Sequence, residues 1–283
     1  MIKRIVNKFW GDSLRRGMIS KIDALGIKES GIDEDNDPFV VLQDGTAFYG
    51  HRASTFDVTY GFLNAETKKV LSKECIQVAA DIVIRYVEGG LMYGGPKKQS
   101  RYKVKAGDSV SEMGGYEGFC SVKLAQQVGP SGQVIAIEPM EDNFRLLMKN
   151  KKVNNLKQLH VVNRAVWDEE KDVDFQRRPG DGQSSSIEMN YDKENTYQVK
   201  AEPLDVIYSK FDRKPKDFMI IQLNGAEINA LRGLNSFKPK NFSIAARYDT
   251  ENEDAAIAIR NALKAQGYSV EIDEEDFVFA NLS

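Results

Sequence analysis

Residues 109–139 read SVSEMGGYEGFCSVKLAQQVGPSGQVIAIEP. An apolar strand ends in Glu112, a glycine turn follows at 114–118, and a helical stretch leads to a second strand that ends in Glu138. Glycine lets the backbone approach a ligand closely, and parallel sheets bind ligands at the carboxyl ends of their strands. The segment therefore predicts a ligand site between the glycine turn and Glu138.

Strands and helices continue to alternate through the rest of the chain. The strand candidates from residue 101 onward are SVSEM, QVIAIEP, LHVVNRAV, DFMIIQL and NFSIAARY, and the intervening helix candidates are FCSVKLAQQV, EDNFRLLMKNKKV and EINALRGL. Strands joined by helices of this length form parallel sheets. A further helix stops at Gly267, and the last two strands, YSVEI and DFVFANL, predict an antiparallel closing pair. For residues 101–283 we therefore predict one α/β domain with a mainly parallel sheet.

The alternation is interrupted once, by a polar stretch after Trp167. This stretch contains two short alternating pieces, KDVDFQ and YQVKA, which predict a hairpin-like excursion from the sheet. We expect the excursion, together with the glycine-rich loop 89–98, to shape a pocket for a substrate.

Residues 1–100 have a different pattern and form a predicted N-terminal extension. Residues 2–18 have the spacing of a basic amphipathic helix, Asp44-Gly45 predicts a hairpin turn, and residues 67–88 predict one long helix that ends at Gly89. We expect this helix–hairpin–helix extension to cap the carboxyl edge of the sheet. The first helix is expected to pack on the domain or on a second subunit, and its alternative role is peripheral contact with an anionic membrane.

Composition excludes several classes of protein. The 283 residues carry a net charge of −3, which argues against a protein that grips nucleic acid through its overall charge. Two cysteines and two histidines argue against a disulfide framework, a cysteine-rich zinc site and a histidine-rich metal site. No apolar run is long enough to cross a membrane and no secretory signal is present, so we expect a cytoplasmic protein.

The charges of the glycine turn discriminate between cofactors. Glu138 lies at the end of the second strand, where a carboxylate can accept hydrogen bonds from both ribose hydroxyls of an adenosine. A dinucleotide site favours G-x-G-x-x-G, but Tyr116 replaces the middle glycine here. A pyrophosphate within about 4–5 Å of Glu112 or Glu117 would meet repulsion of roughly 3–4 kcal/mol at an effective dielectric near 20. The cationic sulfonium and ammonium of S-adenosylmethionine would be attracted instead, so we favour that cofactor over a dinucleotide and over a turn that binds nothing.

The chain from Tyr102 onward resembles the FkbM family of methyltransferases, in particular its archaeal-type members. The family's D-V-G-A-N-x-G turn corresponds to SEMGGYEG, its G-P-x-G-x-V-x-A-x-E-P to GPSGQVIAIEP, and its helix with N-F to EDNFRLLMKN. VVNRAVWD matches the end of the family's fourth strand, and PLDVI with IIQLNGAEINALRG matches its L-D-x-I and E-G-A-E segments. The resemblance implies a class I, Rossmann-like methyltransferase fold that uses S-adenosylmethionine to methylate a hydroxyl, often on a sugar or natural product.

The resemblance also implies roles for individual residues. The cofactor's methionine part would lie near Glu112 and the turn residues Gly114, Gly115, Tyr116 and Gly118, its ribose near Glu138 and Pro139, and its adenine near Asn163, Ala165 and Val166.

The fifth-strand motif departs from the family pattern. Gln222 replaces an aspartate and Asn224 a glutamate, and an amide cannot take a proton at neutral pH. If the aspartate was the general base, its loss removes a factor of about 10²–10⁴ in rate. Glu227 is retained, but the helix N-terminus beside it should stabilise its charge and make it a weak base. Gln222, Asn224 and Glu227 are our catalytic candidates, with helix capping as the alternative role of Glu227.

These observations leave three functions open. We favour an O-methyltransferase acting on a glycan or small hydroxylated molecule, without nucleic acid as partner. A divergent protein that binds S-adenosylmethionine without the usual chemistry is the second, and an RNA- or protein-directed methyltransferase is the third. A homo-oligomer is compatible with each.

Overall fold

A computed structural model describes residues 12–52, 61–89, 101–177, 184–186, 196–246, 254–273 and 277–282. The chain divides into two compact units, residues 1–87 and 88–283. The predicted helix 2–18 and the loop 89–98 lie largely outside the described residues, and the role of the N-terminal extension as a cap stays a prediction.

The N-terminal unit contains a three-stranded antiparallel sheet. Strands β2 (Pro38–Leu42) and β3 (Ala47–Tyr49) form the hairpin predicted at Asp44-Gly45, where Gly45 has φ +88° and the Asp44 carboxylate accepts the Thr46 N–H at 2.9 Å. The hairpin is therefore confirmed. The strands are β1 (Ile27–Ile32), β2 (Pro38–Leu42) and β3 (Ala47–Tyr49), preceded by helix α1 (Asp12–Asp23).

The single long helix predicted over residues 67–88 is wrong. Leu71 and Ser72 are extended, and the Ser30 hydroxyl of β1 accepts the Ser72 N–H while donating to the Val70 carbonyl, both at 2.8 Å. This contact from a distant strand breaks the helix although the apolar spacing continues. The segment forms α2 (Ala65–Val70), a 3₁₀ turn (Lys73–Cys75), α3 (Ile76–Asp81) and a π-helical stretch (Ile82–Val87).

The second unit is built on a seven-stranded sheet. Its strands are β4 (Ser109–Met113), β5 (Gln133–Ile137), β6 (Leu159–Val162), β11 (Phe218–Ile221), β12 (Asn241–Ala245), β13 (Ser269–Ile272) and β14 (Phe277–Asn281). Their order is β6-β5-β4-β11-β12-β14-β13, and β14 runs opposite to the other six strands of this sheet. The predicted mainly parallel sheet with an antiparallel closing pair is confirmed.

Helices connect these strands and bury the sheet. Helices α4 (Phe119–Val128) and α5 (Glu141–Val153) begin and end where the sequence predicted, and they pack on β5 and β6 respectively. Every side chain of β4 and β5 is buried, which is typical of parallel strands covered on both faces. The remaining helices are α6 (Leu204–Ser209), α7 (Glu227–Arg232) and α8 (Ala255–Ala265).

The excursion after Trp167 contains the strands β8 (Lys171–Arg177), β9 (Ser184–Ser186) and β10 (Thr196–Glu202), which join β7 (Ala165–Val166) in a separate four-stranded sheet. The order of this small sheet is β7-β10-β8-β9. Its antiparallel pair β8 and β10 confirms the predicted hairpin-like pieces.

One strand prediction needs correction. The apolar run 159–166 is not continuous: β6 ends at Val162 as the third strand of the large sheet, and β7 belongs to the small sheet. The break occurs because the Asn163 amide donates to the carbonyls of Glu138 and Pro139, at 3.0 and 3.2 Å, and Arg164 pairs with Glu202. The family resemblance assigns the VVNRAVWD motif to a fourth strand and the motif of Gln222 to a fifth. In the large sheet these motifs instead stand at the ends of the third strand, β6, and the fourth strand, β11, in chain order.

Among the described residues, no helix combines the length and apolar character needed to cross a bilayer.

Candidate active site

The parallel strands β4, β5 and β11 end side by side, and we call this side the carboxyl edge. The chain leaves these strands through residues 114–118 (the glycine turn), 138–140 (the β5 loop) and 222–226 (the β11 loop). The carboxyl edge therefore brings together most of the residues predicted to bind the cofactor or to act in catalysis.

The glycines of the turn are required by packing within the protein. A Cβ atom on Gly114, whose φ is +85°, would lie 2.2 Å from the Gln222 carbonyl oxygen. A Cβ atom on Gly115 or Gly118 would lie 2.8 Å from the side chain of Leu147 on α5. Packing alone thus explains these three glycines, without the close approach of a ligand that the sequence suggested. A cofactor role for the turn stays a prediction.

Tyr116 adopts an unusual backbone conformation at the centre of the turn. Its φ is +51°, a region that non-glycine residues other than Asn and Asp seldom occupy. Its N–H donates to Oε2 of Glu138 at 2.8 Å, which fixes the turn to the end of β5. Such strain is held in place by surrounding contacts and is frequent at functional sites.

Glu138 is 5% exposed, and protein donors already surround its carboxylate. Besides the N–H of Tyr116 on Oε2, its Oε1 accepts the Met140 N–H at 3.0 Å and the Asn143 amide at 3.3 Å. A carboxylate has about four acceptor positions, so a ribose hydroxyl would share Glu138 with the turn. Ribose binding stays a prediction, and Glu138 has a structural role that the sequence did not reveal.

Two more carboxyl groups are buried in the same neighbourhood. Glu112 and Glu117 are both 0% exposed. The Ser121 hydroxyl of α4 donates to Glu112, and the Asn150 amide of α5 donates to the backbone carbonyl of Glu117 at 2.7 Å. Helix α4 is thus bonded to β4 and helix α5 to the glycine turn, next to two buried acids.

Glu227 holds the β11 loop. It is 2% exposed, and its carboxylate oxygens accept the N–H groups of Leu223 and Gly225, each at 2.9 Å. Burial raises the pKa of Glu227, although the backbone N–H groups oppose this. The expectation of a carboxyl group favoured in its charged form is therefore wrong, because burial outweighs the helix end. Its contacts support the capping alternative, and a catalytic role stays untested.

The two departures from the family pattern differ in their surroundings. Asn224 has φ +52°, a conformation that asparagine tolerates better than glutamate does, so the backbone gives a reason for the amide. Gln222 is half-buried, and its Oε1 atom is fully buried without a hydrogen-bond partner in the described part of the chain. A buried polar atom of this kind is uncommon and calls for a ligand or a water.

The residues assigned to the adenine are less accessible than expected. Asn163 is half-buried and supports the backbone of Glu138 and Pro139. Ala165 and Val166 are each 3% exposed and lie in β7. Their contact with adenine stays a prediction.

A family model described as "Methyltransferase FkbM domain" matches residues 105–270, which is more than half of the chain. The chain belongs to the FkbM methyltransferase family. Its sheet order, with one antiparallel strand next to the edge, is that of a class I methyltransferase with a Rossmann-like fold. The cofactor of this FkbM methyltransferase is S-adenosylmethionine.

Several solved structures are similar to this FkbM methyltransferase. Fibrillarin from Aeropyrum pernix, in complex with natively bound S-adenosyl-L-methionine, is 10% identical over 90% of this chain and 97% of its own, with a TM-score of 0.42. A SAM-dependent methyltransferase from Aquifex aeolicus is 15% identical over 65% of this chain and 86% of its own, with a TM-score of 0.38. No curated protein matches the chain.

The residues at the carboxyl edge fit a cationic cofactor. Glu112, Glu117 and Glu138 are each at most 5% exposed, and they lie in β4 just before the glycine turn, within the turn, and directly after β5. Carboxyl groups at this density favour positive charge over a pyrophosphate. When bound, S-adenosylmethionine supplies an electrophilic methyl group on a positively charged sulfur.

Three residues of the site were missed by sequence reasoning. Leu147 packs against the glycine turn, Asn143 supports Glu138, and Ser121 donates to Glu112. Asn143 and Leu147 lie on one face of α5 at i and i+4, which was the available signal that this face contacts the site.

Proposed function

We propose that this FkbM methyltransferase methylates a hydroxyl group on a glycan or another small hydroxylated molecule. Methylation of a hydroxyl forms an O–C bond while the donor's S–C bond breaks, and the hydroxyl proton is released. Alignment of the oxygen with the methyl group supplies much of the catalysis in such a reaction. The protein's main task is therefore to hold the acceptor beside the cofactor.

The position of the β11 loop carries this proposal. Gln222 contacts the glycine turn, since its carbonyl closes the space beside Gly114. At the other end of the loop, Ala226 is buried in a cluster with Ala165, Trp167 and Ala201, which lie in or beside the small sheet. The loop thus links the cofactor turn to the excursion, and an acceptor bound next to it would lie between the two.

The side chains of this loop suit a neutral polar acceptor. Gln222 and Asn224 carry amides, which donate and accept hydrogen bonds and stay uncharged across the physiological pH range. Glu227, whose carboxylate is engaged by two backbone N–H groups, acts in this proposal by positioning both amides. The net charge of −3 gives no general attraction to RNA, so a nucleic acid acceptor is the weaker alternative.

The two amides also support the second candidate, a protein that binds S-adenosylmethionine without transferring its methyl group. Replacing Gln222 by Asp restores the family residue. If the wild type methylates an acceptor and Gln222→Asp gains no activity, the amide is an adaptation. If only Gln222→Asp is active, the wild type is a binding protein.

Calorimetry with S-adenosylhomocysteine tests the cofactor site. We expect micromolar binding of S-adenosylhomocysteine to the wild type. Binding to Glu138→Gln should be weaker, because the amide replaces one of the two carboxylate oxygens that the glycine turn and the ribose would share. Glu141→Gln, an exposed acid at the start of α5, is the matched control and should bind like the wild type. Tight binding of NADH in place of S-adenosylhomocysteine would contradict the proposal.

Mass spectrometry tests the acceptor. Metabolite and glycan extracts from cells with and without the protein should differ by species heavier by one CH₂ unit. Methylated RNA or protein, with no change among small molecules and glycans, would replace this proposal by the third candidate. Peripheral membrane contact through residues 2–18, self-association and a cytoplasmic location remain predictions for the same cells, to be checked by fractionation and sedimentation.

A further inference from the structure

Gln222 has a buried acceptor atom that the protein does not use. Oε1 is inaccessible to solvent and has no hydrogen-bond partner within the described residues. Leaving a buried polar atom unsatisfied destabilises the folded chain, so such an atom persists where something other than the fold requires it.

The position of Gln222 identifies the part of the cofactor that it faces. Its N–H continues the pairing of β11 with β4 by donating to the Met113 carbonyl at 3.0 Å. Its Cβ atom lies 3.9 Å from where a Cβ on Gly114 would be. Glu138 and the β5 loop lie on the other side of β4, since the sheet order is β5-β4-β11. A cofactor whose ribose is at Glu138 therefore extends its amino-acid end toward Gln222.

The neighbouring carboxyl group specifies the chemistry of the donor. Ile220 pairs with Glu112 across β11 and β4, and side chains alternate along a strand, so Gln222 projects on the face that Glu112 occupies. Glu112 is 0% exposed on that face. An ammonium group satisfies an amide oxygen and a nearby carboxyl group together, whereas a neutral hydroxyl supplies one proton only.

We propose that the Gln222 Oε1 atom accepts a hydrogen bond from the α-ammonium group of the cofactor's methionine part. This inference rests on the cofactor assignment and is separate from the identity of the acceptor. It makes Gln222 a cofactor-binding residue, in place of the general base that an acid at this position would provide.

Two ligands that differ in the amino-acid part test the assignment. S-adenosylhomocysteine has the α-ammonium, and 5′-methylthioadenosine has the nucleoside and the thioether without it. We expect Gln222→Leu to weaken binding of S-adenosylhomocysteine by about tenfold or more, and to leave 5′-methylthioadenosine unchanged, because a hydrogen bond to a charged donor is lost only with the first ligand. Gln222→Glu, which keeps the acceptor and adds charge, should bind S-adenosylhomocysteine as tightly as the wild type or more tightly.

Controls separate folding from binding. Gln127→Leu makes the same change on an exposed residue of α4 and should alter neither affinity. Without ligand, Gln222→Leu should melt at the wild-type temperature or above it, since an unsatisfied buried atom is removed.

Three results would overturn the inference. They are equal weakening of both ligands by Gln222→Leu, unchanged binding of S-adenosylhomocysteine to that variant, and weaker binding to Gln222→Glu. Failure of the wild type to bind S-adenosylhomocysteine at all would instead contradict the cofactor site as a whole.

Discussion

The two ends of strand β11 place a buried acid in opposite environments. Before the strand, Asp217 accepts hydrogen bonds from the Lys240 ammonium and the Ser109 N–H, both at 2.9 Å. After it, Glu227 accepts only backbone N–H groups and forms no ion pair within the described chain. Burial acts to raise the pKa of Asp217, but the bonds from Lys240 and Ser109 outweigh it, and the pKa falls below its usual value. The pKa of Glu227 is raised by its burial.

This difference separates stability from function along one strand. At the amino end of β11, Lys240 supplies Asp217 with a cation, so the fold itself satisfies this charge. The carboxyl edge buries four carboxyl groups and leaves the Gln222 oxygen without a partner among described residues. Sites that bind a charged ligand are commonly left incomplete by the fold in this way.

Glycines on the two edges provide the largest test of the comparison. Gly107 precedes β4 with φ +88°, and Gly114 follows it with φ +85°. Alanine at Gly107 meets only the Ser131 hydroxyl at 3.8 Å, so we expect a loss of about 1–2 kcal/mol in unfolding free energy from the backbone conformation alone. Alanine at Gly114 also meets the Gln222 carbonyl oxygen at 2.2 Å, so we expect a loss of about 4 kcal/mol or more, measured by urea denaturation.

Both variants have the same backbone strain. The difference between their losses of unfolding free energy therefore measures the contact between the glycine turn and the β11 loop. Equal losses from Gly107→Ala and Gly114→Ala would show that this contact is loose. The carboxyl edge would then not be a preformed site.

Local signals explain what could be predicted, and distant contacts explain what could not. Both ends of helix α4 were predicted correctly because the helix is flanked by Gly118 and Gly129, both of which have positive φ. The break at Leu71 was missed because Ser30, some forty positions earlier, imposes it. The break after Val162 was missed for the same reason, since Asn163 bonds to backbone at the end of another strand.

The site shows the same division. The positions of the glycine turn, Glu138 and the β11 loop followed from the motif and from the rule that ligands bind at carboxyl ends. The contacts of Leu147 and the N–H groups that occupy Glu138 and Glu227 depend on how helix and loops pack, which local sequence does not encode.

The pH dependence of stability should have opposite signs at the two ends of β11. The folded pKa of Asp217 is lowered from 3.8, so its contribution is present above that pH and is lost as the pH falls through the folded pKa. The folded pKa of Glu227 is raised from 4.5, so its contribution is full below that pH and is lost as the pH rises through the folded pKa. At neutral pH, Asp217→Asn should cost about 1.5–3 kcal/mol, the range for hydrogen bonds to a charged group.

Urea denaturation from pH 3 to 8 measures both effects. The gap between wild type and Asp217→Asn should shrink in acid, and the gap between wild type and Glu227→Gln should shrink toward alkaline pH. Asp212→Asn, at an exposed residue in the loop before β11, is the control and should follow the wild type. Two gaps that change in the same direction with pH would mean that the two ends of the strand do not differ in charge compensation.

The smallest expected effect concerns Gly115, and a double-mutant cycle with Leu147 measures it. The cycle tests whether packing against α5 is the reason for a glycine at this position. A Cβ atom on Gly115 would lie 2.8 Å from Cδ1 of Leu147, so Gly115→Ala should destabilise the wild type more than it destabilises Leu147→Ala, which lacks that atom. We expect a coupling of about 1 kcal/mol in unfolding free energy, within the range for residues in contact. The folded double mutant should still bind S-adenosylhomocysteine, because the Cβ atom added at position 115 points toward α5. Additive losses with abolished binding would instead mean that Gly115 is kept for the ligand, and the carboxyl edge would then be shaped by its cofactor more than by its own helices.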